Sequence, residues 1–236
     1  MPPMPAVLTR PSATAAPAAE AAERPDRRAA ILLAAEKLFA QHGYHAVSLR
    51  QIAAEAGVPL ALVGYYHGAK HELFHAIFEH WASNMAERTS RLREELSKSK
   101  RPALDRIVAA FVEPVLHMRA SAEGEYYALL VGRELAYAAD EADRVLRDFF
   151  DPLAHAFIDA LHAARPQVPR AQAAWAYQFA LGALLHHISD QRVQRLSHGI
   201  NTPNDAAAAP LLIAFITAGL DAALQAPTPK TRETLT

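Results

Sequence analysis

The chain contains no cysteine. Disulfides and thiolate-ligated metals are therefore excluded, although the compartment is not fixed by this. Its formal net charge is −1, so no global basic excess advertises a nucleic-acid partner. The start, MPPMPAVLTRP, lacks a basic segment followed by an apolar one, and no signal peptide is expected. No uninterrupted run of about 18 apolar residues is read, so no membrane span is expected. A cytoplasmic location is the default that these absences leave. No segment shows a convincing strand pattern. There is no G-x-S-x-G or similar nucleophile motif, so no catalytic residues are expected.

What is present points to helices. The 236 residues are about half hydrophobic with modest aromatic content, a composition that suits a packed all-α protein. Residues 1–22 are rich in Pro, Ala, Ser and Thr without an apolar period and read as a disordered leader. Residues 227–236 read as a second loose end. Between them lie two expected domains, over 23–84 and 85–226.

In the first domain Ile31, Ala34, Ala35, Leu38 and Phe39 recur at helical spacing, and Gly43 ends that helix. Ser48-Leu49-Arg50-Gln51 fits a capping box, in which Ser48 accepts from the Gln51 backbone N–H and Gln51 reaches back. The helix it opens buries Leu49, Ile52, Ala53 and Ala56 and turns Arg50 outward. Gly57 supplies a left-handed cap, and Pro59 is tolerated in the next first turn. A short apolar helix follows and ends on Tyr65 and Tyr66. The expected unit over 48–67 is helix, tight turn, helix.

Two core helices joined by a turn would share that pattern. The second helix, however, has too few side chains to anchor a core. Leu62 and Val63 can face inward, while Leu60, Ala61, Gly64 and Tyr65 stay near the surface. Small and apolar groups there fit the floor of a DNA major groove, where they meet thymine methyls and permit close approach. The Tyr65 and Tyr66 hydroxyls lie at phosphate height.

The segment "AAILLAAEKLFAQHGYHAVSLRQIAAEAGV" followed by "LALVGYYHGAKHELF" resembles the N-terminal domain of the TetR family of bacterial transcriptional regulators. The similarity runs from Arg24 to about His80. It implies three helices that hold a recognition helix over Pro59–Tyr65, a long fourth helix from about Ala69, and a dimeric, ligand-responsive C-terminal domain. It also implies DNA contacts from Arg50, Tyr65, Tyr66 and Lys70, beside Ser48, Pro59, Leu60, Ala61, Leu62 and Gly64 of the helix-turn-helix. The chain departs from the family where Ser or Thr is usual at Pro59, an aromatic at His67, a capping residue at Ala69 and a larger polar residue at Gly64. From Arg24 to Glu72 six basic residues face four acidic ones, a weak basic footprint, so affinity is expected to depend on dimerisation as well as phosphate contacts.

The second domain is helical by period. Leu104, Ile107, Val108, Phe111, Val112 and Val115 form one stripe, kinked at Pro114. Tyr126, Tyr127, Leu130 and Tyr137 belong to a second helix. Val145, Leu146, Phe149, Leu153, Phe157 and Leu161 belong to a third, kinked at Pro152. A helix over about 171–196 is apolar nearly all round, and another covers about 208–224. Helices apolar on more than one face need covering on more than one face. Leu184, Ile188, Leu212, Phe215 and Ile216 are the expected homodimer seam.

Phe111, His117, Tyr126, Tyr127, Leu130, Phe149, Trp175 and Phe179 are the expected lining of an effector pocket, with Arg119, Arg133 and His117 as partners for an acidic group. The same aromatics could simply form core. Twelve histidines raise the question of a metal. His186 and His187 point about 100° apart on a helix, and the His71–His75 pair is half a site, so neither metal nor cofactor is expected. The resulting expectation is a regulator, most simply a repressor, that binds a pseudo-palindromic operator in double-stranded DNA as a homodimer and is released by a largely apolar small molecule. A ligand-independent regulator or adaptor whose C-terminal helices bind another protein remains an alternative. So does a helical metal-binding protein or enzyme.

Overall fold

A computed structural model of the chain describes residues 26–121, 124–136 and 140–225. The expected leader over 1–22, the tail over 227–236 and Tyr137 lie outside the described residues. Among the described residues there is no strand.

Three helices form the N-terminal unit: α1 (Arg27–His42), α2 (Leu49–Glu55) and α3 (Leu60–His67). Asp26 caps α1 by accepting from the backbone N–H groups of Arg28 and Ala29, as a short acidic side chain does at an N-cap. Gly43 ends α1 at φ +84°, and a Cβ there would meet the Arg133 guanidinium at 3.0 Å. The positive φ favours glycine there, and a Cβ would push the flexible end of the Arg133 side chain aside. Ile31, Phe39, Ile52 and Val63 close the small core of the unit.

Helix α4 (Lys70–His80) leads out of this unit and α5 (Ala82–Lys98) continues after a break at Trp81. Two helices thus stand where one long fourth helix is expected. The C-terminal unit adds α6 (Leu104–Ala120), α7 (Gly124–Ala136), α8 (Asp140–Val145), α9 (Asp151–Ala164), α10 (Arg170–Ser189), α11 (Val193–Leu196) and α12 (Ala209–Ala223). Helix α6 packs on α5, α7 and α12, while α10 packs on α7, α9 and α12.

The break expected at Pro152 takes a specific form. Residues Leu146–Phe150 make a π-turn between α8 and α9, and the Asp151 N–H donates to the Leu146 carbonyl, five residues back. Proline has no N–H for the carbonyl four residues earlier, and the wider turn precedes it.

The long helix expected over 171–196 stops at Ser189. Asp190 turns the chain there and its carboxylate accepts from the Arg192 backbone N–H at 2.6 Å. A stretch long and apolar enough to span a membrane is present after all, contrary to the expectation from the sequence. The helical stretch Ala206–Ala223 has the length and composition to cross a membrane, with a mean hydropathy of 1.7 over 18 residues, and 11% of it is buried inside the protein. Pro210, Thr217 and Asp221 interrupt the run without lowering its mean enough.

Candidate nucleic-acid interface and effector cavity

The helix-turn-helix is built as its sequence predicts. Ser48 Oγ accepts from the Gln51 N–H at 3.3 Å, and Gln51 Oε1 accepts from the Ser48 N–H at 2.8 Å. This fixes the start of α2, from which Arg50 projects into solvent. Gly57 adopts φ +65°, the left-handed conformation that lets the chain reverse before Pro59. Pro59 occupies the N-cap of α3 and makes no side-chain cap.

On α3, Leu60, Ala61, Gly64 and Tyr65 share the outer face, Tyr65 being 79% exposed. Of the two residues expected to face inward, Val63 is the fully buried anchor and Leu62 is half-buried. Tyr66 is also half-buried and meets the Tyr65 ring edge-on at 5.1 Å. His67, at the position where an aromatic is usual, is buried too, and its Nε2 donates to the Arg28 carbonyl at 3.0 Å. The imidazole therefore replaces a purely apolar ring contact by one that ties α3 to the start of α1.

Ala69 carries no capping side chain, yet Glu72 Oε2 accepts from the Ala69 N–H at 2.6 Å. The backbone half of a capping box is thus retained. Lys70 begins α4 with its Nζ 4.4 Å from the centroid of the Tyr44 ring. Partial burial lowers its pKa from the ordinary value. It rests on an aromatic face beside α3, half-buried. Lys37 is engaged by Glu55 at 2.5 Å, which removes one cation from the face.

The expected effector residues do not converge. Tyr127 alone among them lines the interior cavity, a space of about 300 Å³ between α5, α6, α7, α9 and α10. Leu130 is buried in plain core, and Phe111 packs against Phe157 and Tyr177 outside the cavity. Tyr126 is half-buried outside the cavity lining, and His117 is exposed. Phe149 lies against His75, ring centroids 4.8 Å apart, while its neighbour Phe150 turns into the cavity. Trp175 and Phe179 are 59% and 63% exposed and stack on each other outside the fold.

The seam residues need the opposite correction. Leu184, Ile188 and Ile216 are buried in the chain's own core, Leu212 is half-buried, and Phe215 is 67% exposed. Helices α10 and α12 each carry two apolar faces. Periodicity identifies both faces but does not say which one the chain keeps for itself. Trp175 and Phe179 of α10 and Leu211 and Phe215 of α12 are the large apolar side chains these two helices leave exposed. A groove of about 770 Å³ at Leu211 and Phe215 has Ala183, Leu196 and Leu212 among its apolar walls and His186, His187, Asp190 and Arg192 among its polar ones.

Arg119 and Arg133 are already engaged. Arg119 Nε donates to the Ile188 carbonyl at 3.2 Å, with Glu125 nearby at 3.6 Å. Arg133 donates to the Gln41 and His42 carbonyls at the end of α1. The cation that does reach the cavity is Arg88, 5% exposed. Asn84, Arg88 and Leu92 recur every four residues as the buried stripe of α5, a spacing that could have revealed them in the sequence. His75 lies beside Glu79 and Asp148, at 3.5 and 3.2 Å.

Two family models match this chain. "Bacterial regulatory proteins, tetR family" matches residues 31–77. "Tetracyclin repressor-like, C-terminal domain" matches residues 109–219. The chain belongs to the TetR family.

A curated relative, the HTH-type transcriptional activator FasR of Mycolicibacterium smegmatis, is 31% identical over 96 residues. That match covers 40% of this chain and 42% of the relative, so it spans less than half of either. Solved structures share the fold. A TetR-family transcriptional regulator from Bordetella parapertussis superposes with a TM-score of 0.60 at 18% identity, covering 82% of this chain and 95% of that one. Mycobacterium smegmatis AmtR superposes at 0.56 with 21% identity, over 88% and 91% of the two chains. The TetR-family arrangement accounts for the order of elements, three helices around a presented α3 followed by a larger helical domain.

Proposed function

We propose that this chain is a DNA-binding transcriptional regulator that engages a pseudo-palindromic operator as a homodimer, with one α3 in each half-site. The single observation that carries the reading is α3 itself. It is held from below by Val63 and His67 and presents Leu60, Ala61, Gly64 and Tyr65 outward. Apolar and small groups on that face suit contact with base edges and thymine methyls. Arg50, Tyr65, Tyr66 and Lys70 around it supply phosphate contacts, and Lys70 needs only to leave the Tyr44 ring to reach one.

The homodimer reading is supported by the outer faces of α10 and α12. Leu211, Ala214, Phe215, Ala218, Gly219 and Ala222 repeat along the exposed side of α12, and α10, which packs on α12, exposes the Trp175–Phe179 stack. Small residues alternating with large ones let two helix pairs approach closely. Docking against a second copy explains the hydropathy of 206–223 without a bilayer. Asp221 in that stretch is held by Arg165 at 2.7 Å, and a charge is costly at bilayer depth.

The cavity supports control by a small molecule, and its contact with α5 gives the signal a route. An effector that favours one spacing of the two heads over another changes DNA affinity by its differential affinity for the two states. Repression relieved by the effector is the simplest outcome. No catalytic residues are assigned. Retention of a duplex in a gel, falling steeply with salt, tests the DNA reading, and no retention at low salt contradicts it.

A further inference from the structure

We propose that the interior cavity takes a carboxylic acid with an apolar body, its carboxylate seated on Arg88 and the Tyr127 hydroxyl. This deepens the regulator reading and rests on it only for its consequence at DNA, not for binding itself.

Arg88 is buried on α5, and no carboxylate lies within ion-pair distance of it among the described residues. Its Nε has no hydrogen-bond partner, and its Nη1 reaches only the Met85 sulfur at 3.8 Å. The guanidinium lies 4.8 Å from the Phe111 ring centroid and 5.9 Å from that of Phe157. Contact with a ring face offsets part of the lost hydration of a cation. It does not replace the hydrogen bonds a buried charge requires. Desolvation pulls the Arg88 pKa down to about 10, which leaves it charged at neutral pH.

Two more polar atoms at the same cavity are unpartnered. The Tyr127 hydroxyl and the Asn84 Oδ1 are both buried without a hydrogen bond. Asn84 is oriented by its Nδ2, which donates to the Pro114 carbonyl at 3.1 Å. Pro114 itself lies inside α6. Tyr127 keeps its proton, because burial raises its pKa. A buried guanidinium and a neutral phenol both belong to residues lining this cavity, and a carboxylate can accept from either donor.

Most of the remaining wall is apolar, with Val115, Leu146, Phe150, Leu181 and Leu185, and Tyr177 and Gln178 are its other uncharged polar members. Of the cavity residues only Arg88 and Asp151 carry charge, and Asp151 is exposed. An inward cation with a carboxylate on the outside orders an amphiphilic acid head inward. At about 300 Å³ the space is at the small end for ligand pockets, which suits a medium-chain or arene acid.

The test is isothermal titration of the full chain with octanoate, phenylacetate and 1-octanol. At least one acid is expected to bind, with 1-octanol at least about tenfold weaker than octanoate. Arg88→Met is expected to lose about tenfold to a hundredfold for the acid. It should leave 1-octanol unchanged and melt no lower than the parent chain, since an unpaired buried charge is gone. Arg88→Lys keeps the charge with fewer donors and should retain part of the acid preference, so the question stays open to test if the Met variant does not fold. Absence of binding by both acids, equal affinity for octanoate and 1-octanol, or undiminished acid binding in Arg88→Met overturns the proposal. Because the titration contains no DNA, its failure beside intact duplex binding leaves the regulator reading standing. Acid binding by a chain that retains no duplex sinks the regulator reading instead.

Discussion

Trp81 stacks on Tyr127, with ring centroids 5.0 Å apart and 19° between the planes. Its indole N–H donates at the same time to Glu36 Oε2 at 2.8 Å. One side chain at the α4–α5 break thus touches the cavity wall on one side and the first helix of the DNA-binding unit on the other. Movement of Tyr127 on filling the cavity has a direct mechanical path to α1 and α4.

Trp81→Phe keeps much of the ring packing and deletes the bond to Glu36. Loss of this buried hydrogen bond should destabilise the chain by about 1–3 kcal/mol. Urea unfolding measures it. The same variant should reduce the ratio of operator affinities with and without effector, since coupling depends on elements that both sites bias. Unchanged stability and an unchanged ratio would remove Trp81 from the route.

Lys70→Ala and Arg50→Ala should each weaken binding to all duplexes about equally and lower the salt slope by about one unit. Tyr65→Phe should cost less than Tyr65→Ala, because the ring packs while the hydroxyl bonds. Fluorescence anisotropy across a salt series reads both effects. Specificity should respond to flanking-sequence shape, because α3 lacks Arg, Asn and Gln, the usual bidentate readers.

Phe215 and Ile216 are adjacent but should fail differently when charged. Phe215→Asp should yield a folded monomer, because Phe215 is exposed on the protomer. Ile216→Asp should yield misfolded or insoluble protein, because Ile216 is 3% exposed and an unpaired buried charge is strongly destabilising. Light scattering beside circular dichroism separates the two. A folded dimer in Phe215→Asp contradicts the seam.

The N-terminal unit was legible in the sequence and the C-terminal one only in outline. Ser48, Gln51, Gly57 and Pro59 act through local backbone chemistry, which spacing alone reveals. The outer face of α3 follows from the same short-range rules. Trp175 and Ile188 could not be sorted in this way, because each lies on an apolar face of a helix with two of them. Choosing the inner face requires the tertiary fold. Arg88 stands at four-residue spacing with Asn84 and Leu92, a signal that the expectations from sequence leave unused, and only packing shows that its charge has no ion-pair partner among the described residues. His67 departs from the family's aromatic yet keeps the buried position by gaining a hydrogen bond to Arg28.

The turn after α10 gives a pH-dependent element. The Arg192 guanidinium and backbone N–H beside Asp190 hold its carboxyl down to about 2, below the ordinary value of 3.8. A carboxyl depressed by folding contributes its stability in full above 3.8 and loses it as pH falls towards 2. Arg192→Ala should return the midpoint of Asp190 to the ordinary range, as followed by the carboxyl carbon shift in a nuclear magnetic resonance titration. A midpoint near 3.8 in the parent chain contradicts the pairing.

The central claim is that two copies of this chain read a duplex through α3. Selection of bound sequences from a random pool of double-stranded DNA tests it most directly. The account predicts enrichment of a pseudo-palindrome whose half-sites lie about one helical turn or a multiple apart, with enrichment lost in Tyr65→Ala. A pool that gains no common sequence after repeated rounds at low salt, or one enriched equally by Tyr65→Ala, contradicts it.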